Sequence, residues 1–238
     1  MNKTFLLSLT LIFLSNIAVA ETVPDNIKQS LDAIVPGYDP DSIKQTPLSG
    51  LYEFVAHGKV LYISADGRYL VNGNVIDLDS KENLTELTQR KVTKNVMDGY
   101  DKNKAITFSP EGKPEYIISV FTDVDCPYCS MLHKEIPKLN KAGVEIRYLM
   151  YPRAGAGSTT FIKSVSAWCN ENQKKAIGVA KEGGTVVAMN CDNPVQEQYD
   201  LGQSIGVTGT PTLILEDGRA IPGYVPADKL LKILKEKG

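Results

Sequence analysis

Cys126 and Cys129 are separated by two residues, Pro127 and Tyr128. Two thiols at that spacing can close a disulfide within one helical turn. The chemistry open to them is thiol–disulfide exchange, in which a thiolate attacks a disulfide sulfur. A lone Cys-x-x-Cys is equally half a zinc site or a chance pairing, so its setting decides. Residues 116–121 form an apolar run that reads as a buried strand leading into the pair. After Cys129, the apolar residues Met131, Leu132, Ile136 and Leu139 fall at helical spacing. Pro127 suits the first turn of a helix, where a missing N–H costs nothing. The cysteines are therefore expected at a strand-to-helix junction, at the positive end of the helix. Free backbone N–H groups there stabilise a thiolate. Asp125 pulls two ways. It can serve as the N-cap, yet its charge beside Cys126 disfavours the thiolate.

The other two cysteines, Cys169 and Cys191, lie too far apart to form the second close pair of a zinc ribbon. No metal site is expected. In an exported protein a structural disulfide is the simpler account, and a loop of this size contributes about 3 kcal/mol. A regulatory pair or two free thiols are the alternatives. Thr210-Pro211 comes just before the apolar run 212–215, which puts a proline at a strand start, where it need not donate to the ladder. Such a bond can be cis. The glycine-rich stretch 153–160 has no lysine for a phosphate loop and no dinucleotide spacing, so it reads as a plain loop. His133 lies one helical turn after Cys129. A charged imidazole there would favour the thiolate, but a structural or solvent-facing histidine is the simpler reading. His57 has no visible partner, and Trp168 reads as core packing. None of these stretches calls for a cofactor.

The chain has 238 residues, 42% hydrophobic and 23% charged, which places it among globular proteins. Residues 1–20 stand apart. Lys3 is a short basic start, residues 5–19 are mostly apolar, and Ala18-Val19-Ala20 is a small-x-small cleavage pattern. This reads as a secretory signal cut after Ala20, with an uncleaved anchor as the alternative. The mature chain then meets an oxidising compartment, where disulfides persist. Loss of Lys3 moves the formal charge from −2 to −3, which points away from nucleic acid or anionic lipid as partner.

Residues 21–79 read as a small α+β unit. A helix is expected over 24–35, then strands over 50–56 and 59–64, a turn at 65–68, and further strand at 69–72 and 75–78. About 60 residues bury too little surface to be more than marginal alone. The strand at 59–64 is also apolar on both faces, with Leu61 and Ile63 against Val60 and Tyr62. A second copy, or packing on the rest of the chain, would answer both problems. Residues 80–99 read as a mostly polar, solvent-bridging linker helix, with Ser80 as N-cap and Gly99 just past its end. Residues 100–238 read as an α/β unit. It holds strands at 105–108, 116–121 and 144–150, a parallel right-handed β-α-β crossover, a helical region over 159–205, a hairpin and a closing helix.

Several stretches together resemble the periplasmic protein disulfide isomerases of the DsbC/DsbG type. They are Phe121-Thr-Asp ahead of the cysteine pair, Tyr151-Pro-Arg153, Ala167-Trp168-Cys169 with a partner at Cys191, Gly206-Val-Thr-Gly-Thr-Pro211, and Pro222-Gly223-Tyr224. The resemblance covers essentially the whole mature chain. It implies a V-shaped homodimer with an N-terminal cystatin-like dimerisation domain, a linker helix, and a thioredoxin-like domain with a helical insertion. It further implies that Thr210-Pro211 is the cis-proline loop facing the active disulfide and binding substrate. A membrane thiol reductase of the DsbD type would keep the pair reduced. Two features depart from DsbC. Pro127-Tyr128 is similar to DsbG, where DsbC usually has Gly-Tyr, and this dipeptide tunes redox poise. Asp125 is the other departure.

The function expected is a protein thiol–disulfide isomerase or reductase acting on misoxidised exported proteins. Cys126, nearer the helix start and the more exposed, attacks; Cys129 resolves. The rivals are a net dithiol oxidase, a reductase of oxidised single cysteines, and a holdase chaperone whose apolar cleft matters more than its thiols.

Overall fold

Alternating burial along a β-hairpin organises the N-terminal part. The computed structural model describes residues 23–236, so the signal read at residues 1–20 lies outside the described residues. Helix α1 (Asp25–Ile34) buries Ile27 and Leu31, one turn apart on one face. Strands β1 (Tyr38–Gln45), β2 (Leu51–Ala56), β3 (Lys59–Ser64) and β4 (Leu70–Val71) follow as an antiparallel sheet in that order. Phe54 pairs with Leu61 and Tyr52 with Ile63. That face of the hairpin packs on Ile27 and Leu31. Strand β1 is not evident in the sequence, because Tyr-Asp-Pro-Asp-Ser-Ile-Lys-Gln lacks β-alternation. It survives as an edge strand, with Pro40 falling in the register break between Asp39 and Lys44. The strand expected over 75–78 is reduced to a single bridge, Ile76 to Asn83.

Helix α2 (Leu84–Asp98) begins three residues later than Ser80 would start it. The Asn83 side chain accepts from Glu86 N at 3.1 Å and is the N-cap instead. Gly99 has an ordinary φ of −78°, so no left-handed cap is used. The helix is also not a solvated bridge. Its Thr85 hydroxyl bonds to the Tyr62 hydroxyl, and Thr88 donates to the Glu53 carboxylate at 3.2 Å. Gln89 spans the β2–β3 turn, donating to Gly58 O at 2.7 Å and accepting from Val60 N at 3.2 Å. Val60 and Tyr62 are buried. The second apolar face of β3 is thus covered by α2, a helix whose contact side is threonine and glutamine rather than leucine. Tyr69, Leu70, Val71, Ile76 and Leu78 remain exposed around β4.

The C-terminal part runs β5 (Ile106–Phe108), β6 (Tyr116–Thr122), α3 (Pro127–Lys141), β7 (Val144–Met150), α4 (Thr159–Trp168), α5 (Gln173–Lys181), α6 (Val195–Ser204), β8 (Thr212–Leu215), β9 (Ala220–Pro222) and α7 (Ala227–Lys235). The sheet order is β5-β7-β6-β8-β9, and only β6 and β7, joined through α3, are parallel. Successive residues of β6 and β7 serve opposite faces. Val120 and Tyr148 join Leu132, Ile136, Leu139, Ile177 and Leu230 on one side. Phe121 and Leu149 join Tyr151, Ile205 and Val207 on the other, with Val96 and Met97 of α2 packed against them. Cys169 at the end of α4 is disulfide-bonded to Cys191, just ahead of α6. Among the described residues no helix is long and apolar enough to cross a membrane.

Two glycines bring the parts together. A Cβ on Gly58, in the β2–β3 turn, would sit 1.9 Å from Ser204 O at the end of α6. A Cβ on Gly218, in the β8–β9 turn, would sit 2.1 Å from Arg90 O on α2. Both glycines have positive φ. Gly223 has the same φ as Gly218 but open space around it. Gly218→Ala is therefore expected to destabilise the full chain by clearly more than the roughly 1 kcal/mol of backbone strain that Gly223→Ala carries. Urea unfolding of both variants checks this; equal losses would show that the close approach to α2 is not a packed contact.

Candidate active site

Strand β6 ends at Thr122, and a four-residue corner leads to α3. Asp123, whose side chain is 3% exposed, holds that corner. Its Oδ1 accepts from Asp125 N at 2.8 Å, and its Oδ2 accepts from both N and Nε of Arg153 at 3.0 Å. The corner presents Cys126 as the N-cap of α3 and Pro127 as its first residue, but Cys126 makes no oxygen-type capping bond. Asp125 is not the N-cap. Its carboxylate turns to Lys163 at 2.8 Å and Thr160 at 2.7 Å. Partial burial raises the Asp125 carboxyl, but Lys163 and Thr160 outweigh it and hold it below the usual range. The repulsion expected between Asp125 and the Cys126 thiolate is thus largely neutralised. The glycine-rich stretch that reads as a plain loop supplies two of these partners, Arg153 and Thr160.

Both thiols are free and buried, Cys126 at 1% exposure and Cys129 at 0%. The expected greater exposure of Cys126 is not found, because the Thr210–Pro211 loop lies over it. The Thr210–Pro211 bond is cis, and Cys126 Sγ donates to Thr210 O at 3.3 Å. Thr210 Oγ1 is buried with no hydrogen-bond partner among the described residues. Tyr128, at 60% exposure, is the part of the dipeptide that meets solvent.

The two sulfurs are pushed apart in acidity. Burial raises the Cys126 thiol, but Thr210 and the N–H groups of Cys129 and Tyr128 outweigh it, leaving the thiol below its ordinary value. This is the helix N-terminus acting on a sulfur at the N-cap. Deeper burial raises Cys129 above its ordinary value, against a lowering by Lys181, Thr122 and Asp123 N–H. The geometry suits one sulfur as nucleophile and the other as a reserve.

Sequence reasoning assigns no role to Thr122, Asp123 or Lys181. The structure brings all three to the pair. Lys181, 5% exposed, donates to Thr122 Oγ1 at 2.6 Å and to Asp123 O at 3.2 Å. A signal for it exists: Lys181 falls four residues after the buried Ile177 of α5, on the same face of the helix. His133 is not an activator. Its Nδ1 meets the Tyr148 hydroxyl at 3.2 Å, and burial followed by Lys181 pushes its pKa down to about 4, so it is neutral. Trp168 packs against the main core. Among the described residues no group of three or more His, Cys, Asp or Glu is placed to hold a metal ion.

Comparison with known proteins covers both parts. A family model for a thioredoxin-like domain matches residues 102–238. A model for the disulfide bond isomerase protein N-terminal domain matches residues 18–86. The thiol:disulfide interchange protein DsbC of Dickeya dadantii is 32% identical over 236 residues, covering 98% of this chain and 94% of that protein. DsbC of Escherichia coli strain K12 is 30% identical over 236 residues, covering 99% and 97%. The crystal structure of a disulfide interchange protein from Neisseria gonorrhoeae matches with a TM-score of 0.51 and 33% identity, covering 58% of this chain and 97% of that one. The chain belongs to the DsbC family of thiol:disulfide interchange proteins and is a thiol–disulfide oxidoreductase.

Proposed function

We propose that this protein rearranges incorrect disulfides in exported proteins of the periplasm, through Cys126 and Cys129. The observation that carries the direction of catalysis is the opposed acidity of the two thiols. Cys126 attacks as thiolate. Its sulfur bonds to one substrate sulfur, the substrate S–S bond breaks, and the electron pair leaves on the other substrate sulfur, which takes a proton. Cys129 is held back as thiol, so the mixed disulfide persists long enough for another substrate thiolate to attack. That attack returns Cys126 as thiolate and leaves a rearranged substrate, with no net electron transfer. Where no substrate thiol arrives, Cys129 attacks Cys126 instead and the substrate leaves reduced.

Substrate reaches the sulfur by replacing the Cys126 to Thr210 contact, with an extended segment lying along Thr210 and Pro211 as an added strand. Pro127 and Tyr128 set the poise of the pair, and the Cys169–Cys191 disulfide is structural. After a net reduction the pair returns to the dithiol through a membrane thiol reductase of the DsbD type. Residues 1–20 are the export signal, residues 21–79 a dimerisation domain, residues 80–99 the linker helix, and residues 100–238 the catalytic domain. The short edge strand β4, with Leu70 and Val71 exposed, suits pairing with a second copy.

Cys126→Ala is expected to abolish refolding of scrambled ribonuclease and reduction of insulin, while Cys129→Ser should accumulate mixed disulfides. Refolding activity in Cys126→Ala would remove the assignment. The raised acidity of Cys126 has a pH signature. Its alkylation rate should hold up as pH falls below the ordinary thiol range and drop only when the thiolate itself is protonated; a midpoint at or above an unperturbed cysteine would contradict the site. Sedimentation equilibrium should give twice the chain mass. Leu70→Asp combined with Leu78→Asp should give the single-chain mass, and a dimer that persists in that variant would place the contact elsewhere.

A further inference from the structure

Lys181 is a buried cation without a carboxylate. It is the last residue of α5, and its own carbonyl accepts from Ser130 Oγ at 2.6 Å, which docks the end of α5 on the first turn of α3. The side chain then passes between α3 and the end of β6. Its Nζ bonds to Thr122 Oγ1 and Asp123 O, and lies 5.1 Å from the centre of the Tyr148 ring. The nearest carboxylate, Asp123, is engaged by Arg153. A methionine would fill the same space without the cost of desolvating an ammonium. An ammonium at this place needs an anion, and the sulfurs of the pair are the groups beside it that can become one.

We propose that Lys181 is a positioning residue for exchange: its ammonium, held beside the pair by Thr122 and Asp123, stabilises the thiolate that Cys129 becomes when it resolves the mixed disulfide, and so speeds net reduction of substrate. The reading rests on Cys126 and Cys129 as the exchange pair. Two acceptors seat the ammonium at the pair: Thr122 Oγ1 at 2.6 Å, and Asp123 O at 3.2 Å, which also accepts from Cys126 N at 3.3 Å. Burial lowers the Lys181 pKa to about 8, against the sulfurs and Asp123, which keeps it mostly charged at neutral pH.

The resolving step then balances. Cys129 loses its proton to water and its sulfur bonds to that of Cys126. The bond from Cys126 to the substrate breaks with its electron pair on the substrate sulfur, which takes a proton. Two electrons pass from the dithiol to the substrate, and Lys181 stays charged throughout. The groups that face this centre are Cys126, Cys129 and neutral His133 from α3, Tyr148 from β7, and Asp123 with its partner Arg153 at the corner.

The test uses the full mature chain with Lys181→Met, and Lys181→Gln as a second neutral variant should the first not fold. In a Cys126→Ala background the thiolate absorbance of Cys129 is titrated; with both cysteines present, release of substrate from a preformed Cys126 mixed disulfide is timed at neutral pH. Neutral variants should raise the Cys129 midpoint by at least about one pH unit. They should slow the release about threefold, a roughly tenfold smaller thiolate fraction partly offset by a more nucleophilic sulfur. A folded neutral variant with unchanged midpoint and unchanged release rate overturns the proposal. A purely structural lysine would move the unfolding midpoint and neither of these. Failure of the exchange reading would appear separately, as refolding activity retained by Cys126→Ala.

Discussion

The site depends on what is done with the unpaired N–H groups at the start of α3. A helix begins with donors that lack intrahelical partners, and an aspartate, serine or asparagine oxygen usually accepts them. Here the N-cap is Cys126, and Asp125 next to it is drawn off by Lys163 and Thr160. The N–H groups of Tyr128 and Cys129 are left to stabilise a thiolate at Cys126. That exchange of an oxygen for a sulfur lowers the Cys126 thiol despite its burial, and the rest of the corner serves to keep it so. Asp123 sets the turn from β6, Arg153 holds Asp123, and the cis Thr210–Pro211 loop closes over the top.

The same corner separates in acidity two thiols that the sequence distinguishes only by their distance from the helix start. Cys129 sits one turn deeper, at 0% exposure, where burial dominates. Cys126 keeps the helix N–H groups and Thr210. The difference in acidity between the two thiols is therefore a matter of depth, measured along a single turn of helix. The second disulfide takes no part in it: Cys169 and Cys191 tie the end of α4 to the segment before α6.

The N-terminal unit shows how a helix of unremarkable amphipathicity can still be a structural seam. Helix α2 has few apolar residues, yet Thr85, Thr88 and Gln89 meet the β2–β3 hairpin through hydrogen bonds while Val96 and Met97 reach the catalytic part. Hydropathy weighs only the apolar half of such a contact. Threonine and glutamine that satisfy backbone groups count there as solvent-facing, which is why a linker was expected where a packed element is found. The glycine contacts at Gly58 and Gly218 are likewise invisible in sequence, since a glycine needed for close approach looks the same as one needed for a turn.

By itself, the sequence determined the strand-to-helix setting of Cys126 and Cys129, the parallel β6-α3-β7 unit, the hairpin of β2 and β3, and the order of helices after it. These follow from local periodicity and from proline and glycine positions, which act over a few residues and are written in the chain. Only the tertiary structure decided which groups reach the sulfurs. Thr210 comes from 84 positions after Cys126, Arg153 from 30 positions after Asp123, and Lys181 from 59 positions after Thr122. It also decided that Asp125 faces Lys163 rather than the helix, that His133 is neutral, and that Cys126 is covered. Charge, burial and hydrogen bonding of a thiol depend on what surrounds it within a few ångströms, and those neighbours are chosen by packing of distant segments rather than by spacing along the chain.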